Sequence, residues 1–345
     1  MQTPFIALLT LLVLVGARGQ LALGQSYLAY DPNALDKAQF EIEEAVSDLT
    51  PDLNSPPITQ PHACRMPLRT PVATRTRAPG LLDELTFLFA IDGSKQPQDF
   101  GVNANLGGHA SANWGVPVSQ EFGIGMQLGT GLTSSANAVR VYELLGESTG
   151  RTQSFTTVGM FQRTDSGLAW GFAHDFLYQK SFDTFQLGQW RIRGSYILST
   201  NNEIGVTSSL NSYSDNGIFG TSTPVTLSPI EQGSLYYRRF WGTGAQTTAW
   251  IGIADKHGEN NAVTGPSPAK HVPFLFGADL LMPLSASLAI YGETNMITPS
   301  DTGTVDAFLG IQWFPGRRTF RARRGSFSPL IPLAAPTSFA VDLSQ

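Results

Sequence analysis

Charge is scarce in this chain: only 14% of its 345 residues are Asp, Glu, Lys or Arg. Acids outnumber bases 27 to 22, for a formal charge of -5, which argues against a nucleic-acid partner. Cysteine is nearly absent, Cys64 being the only one. That excludes a disulfide within the chain and all but excludes a Cys-based metal centre. Beyond the N-terminus no run of about 18 apolar residues occurs, so the body carries no transmembrane helix. HExxH, a phosphate-cradling Gly loop and Cys/His ligand spacing are all missing. No cofactor and no metal site is expected.

What the chain does have is glycine, 35 residues of it, and a mean hydropathy near zero despite the shortage of charge. Regular alternation of apolar and polar residues produces that average. Between Val102 and Leu132 it is explicit. Val102, Ala104, Leu106, Ala110, Ala112, Trp114 and Val116 share one parity, and Asn103, Asn105, His109, Ser111 and Asn113 share the other. After Pro117–Gln120, Phe122, Ile124, Met126, Leu128 and Leu132 alternate with Gly123, Gly125, Gln127 and Gly129. Side chains alternate faces along a strand, so this stretch predicts a long hairpin with one apolar and one polar face. Strands of about 15 residues exceed the usual 5–6 of soluble domains. They suit tilted strands crossing a bilayer in a closed barrel.

The same reading predicts strands at 84–92, 102–116, 121–132, 152–163, 167–179, 185–199, 203–213, 232–241, 245–254, 271–282, 286–296 and 305–314. Connections alternate between short turns and longer loops, the latter including Lys180–Thr184 and Ser214–Glu231. Short turns on the periplasmic side, long loops outside and an even strand number characterise outer-membrane barrels. The expected fold is therefore an all-β, antiparallel, up-and-down transmembrane β-barrel of about 12 strands, spanning 81–315. Trp114, Trp170, Trp241 and Trp313 fall near short turns or the last strand end, where an interfacial belt of indoles belongs.

Around this body lie three appendages. Residues 1–24 read as a signal peptide, with an apolar stretch of Phe5–Gly16 and small-x-small cleavage sites, although no Lys or Arg precedes it. Residues 25–80 read as a short amphipathic helix at Asn33–Leu49 followed by a Pro/Arg-rich linker, resting on the body or plugging it. Residues 316–345 read as a basic, Pro-rich tail, extended and solvated. Its Arg317, Arg318, Arg321, Arg323 and Arg324 are candidates for contact with anionic lipid or cell-wall polymer at the periplasmic rim.

Parity assigns Asn103, Asn105, His109, Asn113, Gln127, Asp175, Gln189, Arg191, Arg193, Ser195, Asp279, Glu293, Asp306 and Gln312 to the lumen, with one of Arg238 and Arg239. In 185–199 the opposite phase is Gly188, Trp190, Ile192, Gly194, Tyr196 and Leu198, which leaves Arg191 and Arg193 facing in. Such a mixed-charge polar lumen either lines a narrow solute path or pairs off and closes.

Two catalytic or ligand readings compete with this. His109, Ser111 and Asn113 on one face of one strand could form a base and nucleophile, but a polar lumen wall produces the same row. His257, Glu259, Asp255 and Lys256 could form a weak cation site or simply a solvated loop. His174 shares the aromatic phase of Trp170, Phe172, Phe176 and Tyr178.

The strings Lys95–Asn105 (KQPQDFGVNAN), Gln153–Gly159 (QSFTTVG), Ile297–Asp306 (ITPSDTGTVD) and Ser338–Leu343 (SFAVDL) resemble a planctomycete family of secreted barrel-type proteins of unknown function. The resemblance covers Leu81 to the C-terminus. It implies an exported barrel of the outer membrane and transfers no activity and no residue role. The expected function is thus a non-enzymatic envelope barrel, porin-like or structural, embedded in a lipid bilayer. The alternatives are a soluble secreted β-sandwich binding module and a barrel lipid hydrolase.

Overall fold

A computed structural model of the chain describes residues 82–99, 104–137, 143, 146–255, 260–261, 265–266, 273–298 and 304–344. The expected signal peptide, the Asn33–Leu49 helix and the linker to residue 80 lie outside the described residues.

Twelve strands close into a barrel in which every neighbour pair is antiparallel. They are β1 (Leu85–Lys95), β2 (Asn105–Ser119), β3 (Ile124–Asn137), β4 (Gly150–Arg163), β5 (Leu168–Lys180), β6 (Thr184–Ser199), β7 (Asn202–Tyr213), β10 (Gln232–Phe240), β11 (Gln246–Ala254), β14 (Phe274–Pro283), β15 (Leu288–Thr298) and β16 (Thr304–Trp313). The seam is β1 on β16, from Phe87 opposite Trp313 to Lys95 opposite Val305. The remaining strands lie in connections or the tail: β8 (Asp215–Phe219), β9 (Thr223–Pro229), the two-residue pair β12 (Asn260–Asn261) and β13 (Gly265–Pro266), and β17 (Val341–Ser344). A closed ring leaves no unpaired edge, which is the condition for strands to cross lipid. It also rules out the β-sandwich alternative.

All twelve expected strands are present, with two local shifts. Pro117 does not start the first hairpin turn. It lies within β2 at a register shift between Pro117 and Ser119, where a residue without an N–H costs the ladder nothing. The turn comes later and ends on Gly123 at φ 61°. A Cβ there would stand 2.0 Å from the Arg163 carbonyl oxygen, so only glycine fits. Between β5 and β6 the connection is just Ser181–Asp183, shorter than expected for the long-loop rim.

The outward parity is apolar. Phe89, Ile91, Leu106, Met126, Leu128, Leu132, Phe172, Phe176, Trp190, Ile192, Ile251 and Leu309 are all exposed large hydrophobics. An apolar surface encircling the sheet has no place in water and matches the lipid-facing band of a transmembrane barrel. Trp170 and Trp313 are exposed on this face. Trp114 and Trp241 are half-buried, and Trp313 stacks on Phe87 with ring centroids 5.3 Å apart.

The tail departs most from expectation. It is neither solvated nor confined to the rim. After Phe314 the chain crosses the short-turn end through a 3-10 turn at Thr319–Arg321, then re-enters the barrel. Phe327, Leu330, Ile331, Ala334, Ala335, Phe339, Ala340, Val341 and Leu343 are buried. At the long-loop end Val341–Ser344 pairs with Pro229–Thr226, so β8, β9 and β17 form a three-stranded lid. The physical reason is apolar area. Inward Phe155, Leu177, Phe185 and Leu187 cluster with Val225, Leu227, Phe339, Val341 and Leu343, and all become buried. Burying side chains of this size contributes about 1.5–3 kcal/mol each. The lumen wall is therefore partly apolar, not the purely polar surface that alternation with charge suggested.

Candidate functional site

The candidate site is the lumen, and its contents are the wall side chains plus residues 322–344. Three polar layers hold the tail in place.

At the long-loop end Gln96 is the hub. Its amide nitrogen donates to Asp306 Oδ2 at 3.0 Å and to the Pro336 carbonyl at 3.1 Å. Its amide oxygen accepts from the Val341 N–H at 3.2 Å. Arg151 pairs with Asp99 at 2.8 Å and also reaches Ser94. Gln153, Gln179 and Gln98 continue the network as a relay of 2.8 Å amide contacts. Asp99 lies outside the strands, and burial pushes its carboxyl up despite the Arg151 charge beside it.

The middle layer centres on Asp175, which is fully buried. Thr157, Gln189 and Arg191 all donate to it, Thr157 at 2.7 Å and Gln189 at 2.9 Å. Each of the three also touches the tail. Arg191 Nη2 reaches the Pro332 carbonyl at 2.8 Å, Gln189 reaches the Ser338 carbonyl at 3.0 Å, and Thr157 Oγ1 accepts from the Ala334 N–H at 3.1 Å. Nearby, Gln127 donates to the Ile331 carbonyl at 2.6 Å.

Toward the short turns a third chain of contacts runs around the wall. Arg193 Nε donates to Tyr236 OH at 3.0 Å, and Tyr236 OH donates to Glu203 at 2.8 Å. Arg238 pairs with Glu203 at 3.2 Å and donates to Thr248, which donates to Asp279 at 2.9 Å. The tail's Arg323 closes the chain on Asp279 at 2.8 Å. The Tyr236 ring centroid is 4.1 Å from the Arg193 guanidinium carbon and 5.5 Å from that of Arg238. Glycine at 205 permits this, since a Cβ there would stand 2.5 Å from the Tyr236 ring. Glu293 takes hydrogen bonds from Tyr291 at 2.6 Å and from the tail's Thr337 at 2.7 Å. At the rim, Arg318 bridges Asp83 and Glu84, both at 2.7 Å. Burial outweighs that cation and raises the Glu84 carboxyl above its ordinary 4.5.

Of the residues assigned to the lumen by parity, Asn105, His109, Gln127, Asp175, Gln189, Arg191, Arg193, Ser195, Asp279 and Asp306 are buried. Asn113, Glu293 and Gln312 are half-buried. Asn103 lies outside the described residues. Arg238 is buried and Arg239 exposed, which decides between that pair. His109, Ser111 and Asn113 line one cavity. His109 Nδ1, however, sits 2.9 Å from Thr133 Oγ1, and its ring stacks on Phe308. His257 lies outside the described residues, and among those described no group of three His, Cys, Asp or Glu is placed to hold a metal.

Gln96, Arg151, Thr157, Glu203 and Tyr236 were not singled out by sequence. Inward parity was available for Arg151, Thr157, Glu203 and Tyr236. Arg323 was expected at the periplasmic rim with the other tail arginines; it pairs with Asp279 inside the ring because the tail turns back, and nothing in the sequence signalled that return.

The model of a family of unknown function, DUF6666, matches residues 84–341. The chain belongs to the DUF6666 family. That span begins just before β1 and ends on the first residue of β17, so it takes in the barrel and the returning tail together. Among curated proteins none matches this DUF6666 chain. Among solved structures it is similar to an outer membrane channel from Pseudomonas putida F1, at 9% identity and TM-score 0.48, covering 66% of this chain and 93% of that one. It is also similar to the translocator domain of the autotransporter NalP from Neisseria meningitidis, at 10% identity and TM-score 0.40, covering 81% and 96%. Outer membrane phospholipase A from Escherichia coli matches at 10% identity and TM-score 0.35, covering 66% and 95%.

Proposed function

We propose that this chain is an exported outer-membrane β-barrel of the bacterial envelope, porin-like in its ring but held shut by its own C-terminal segment. One observation carries the reading: the wall of the ring supplies hydrogen-bond partners to the tail backbone along its whole passage, from Arg163 on the Ser328 carbonyl to Gln96 on the Val341 N–H. A tail merely resting in a water-filled pore has no need of such partners.

The reading assigns the barrel no enzymatic role; His109 is taken as a wall side chain that hydrogen-bonds Thr133 and stacks on Phe308. With Arg318 and Arg323 tied to acids, the exposed Arg317, Arg321 and Arg324 are the side chains we propose for contact with anionic lipid or cell-wall polymer.

Planar-bilayer conductance tests the closed state. The full chain should pass no steady current, and a variant ending after Ser326 should conduct. A full chain that conducts like the truncated one would sink the proposal. Equal silence from both would mean that the wall side chains close the ring unaided.

A further inference from the structure

Among the described residues two cavities lie beside the tail, of about 90 and 100 Å³. The first lies toward the short turns, and its wall has an unusual charge balance. Arg163, Arg193 and Arg238 reach it from three strands and Arg323 from the tail, while Glu293 is the only carboxylate lining it among the described residues. Glu203 and Asp279 lie behind this wall and are spent on Arg238 and Arg323. Arg163 and Arg193 make no direct ion pair among the described residues; both share the field of Glu203 with Arg238, and Arg163 also feels Glu84. Arg193 donates to the Tyr236 hydroxyl and lies over its ring. Arg163 donates from Nη2 to the Ser328 carbonyl at 3.2 Å, and its buried Nε has no partner among the described residues.

Four guanidiniums thus face a cavity that a single carboxylate lines, and an anion placed among them would be held by direct contacts that the more distant carboxylates do not make. The cavity has room for about three waters at roughly 30 Å³ each, comparable to one tetrahedral oxyanion. It is too small for a lipid. Two further unpartnered atoms refine the ligand. The Asn113 and Gln312 amide oxygens, both on the cavity wall, have no donor among the described residues. An oxyanion that keeps a proton supplies one.

We propose that this cavity binds inorganic hydrogen phosphate. Its oxygens accept from Arg163, Arg193 and Arg238 on the wall and from Arg323 on the tail, and its P–OH faces Asn113 and Gln312. Guanidinium forks suit this geometry. The site rests on the closed-barrel reading, because Arg323 reaches it only when the tail is seated. Bound phosphate therefore bridges wall and tail and shifts the population toward the shut state.

The test uses the full chain folded in detergent micelles and titrated calorimetrically with sodium phosphate, against sodium chloride and sodium sulfate at matched ionic strength. Saturable binding is expected for phosphate, with a rise in the temperature at which the folded band disappears on a gel. Arg163→Gln and Arg193→Gln should each weaken binding at least tenfold, while Arg239→Gln, on the exposed face, should bind like the parent. If Arg163→Gln does not assemble, Arg163→Lys keeps the charge, loses the fork and should still bind several-fold more weakly. Absence of phosphate-specific heat, an equal response to sulfate, or wild-type binding by the Arg163 variants would overturn the site. Conductance separates this from the closed-barrel reading. A barrel that conducts in both buffers overturns the seal and the Arg323 contact with it, whereas a shut barrel indifferent to phosphate overturns the site alone.

Discussion

Arg191 and Asp175 form a buried pair on adjacent strands, and the same guanidinium reaches beyond it to the tail: Nη2 lies 2.9 Å from Asp175 Oδ1 and 2.8 Å from the Pro332 carbonyl. One cation thus ties wall to wall and wall to tail.

Arg191→Ala should be among the most damaging single changes. It strands a fully buried carboxylate, and breaking such a pair costs about 3–5 kcal/mol. The folded band on an unboiled gel should be lost at markedly lower temperature or urea concentration than for the parent. Stability within error of the parent would mean that the pair contributes little.

Tyr236→Phe removes one hydroxyl and two hydrogen bonds, leaving Arg193 and Glu203 each short of a partner. A loss of about 1–3 kcal/mol is expected from the unsatisfied groups. Gly205→Ala should destabilise through a different cause, crowding of the same ring and of the Gly194 carbonyl on β6. Urea titration of the two single variants and the double variant measures the coupling. If both act through Tyr236, their effects will not add.

Leu106 is 61% exposed on the outward face of β2. Leu106→Arg would place a charge against lipid close to the long-loop end of β2, where the cost is nearer about 1 kcal/mol than the 2–4 of the midplane. Assembly yield into vesicles should fall measurably. Normal yield would contradict a lipid-facing Leu106.

Glu84 offers a pH test at the rim. Its carboxyl is raised by burial, so the folded chain holds that proton more tightly than the unfolded chain does. Its stabilising contribution is complete below the unfolded value and fades as pH rises through the folded one. Glu84→Gln should remove this part of the slope of stability against pH above about 4.5, the ordinary value. An unchanged slope in that variant would assign the dependence to other groups.

Strand number and facing were legible because each barrel strand carries its own signal. Trp190 and Ile192 alternate with Arg191 and Arg193, and no partner needs to be known to see it. The tail carried no such signal. Pro329, Pro332 and Pro336 interrupt any period, and its backbone groups are satisfied by Gln96, Gln127, Thr157, Gln189 and Arg191 instead of by a ladder. Its apolar residues follow the irregular contour of the wall. A segment that completes another element's core reads in isolation as a Pro-rich linker. The first turn was misplaced for a smaller reason: Pro117 usually marks a turn, but a register shift accommodates it within the strand.

The path of the tail also imposes an order on biogenesis. β1 and β16 meet at the seam, and the buried part of the tail, Phe327 to Leu343, must end up enclosed by the ring that this seam completes. Either the seam zips around a tail already laid across the open sheet, or the tail is drawn through a finished hoop from one rim to the other. A bulky folded domain fused after Gln345 would obstruct the second route and spare the first. Such a fusion therefore reports whether this barrel is wrapped or threaded.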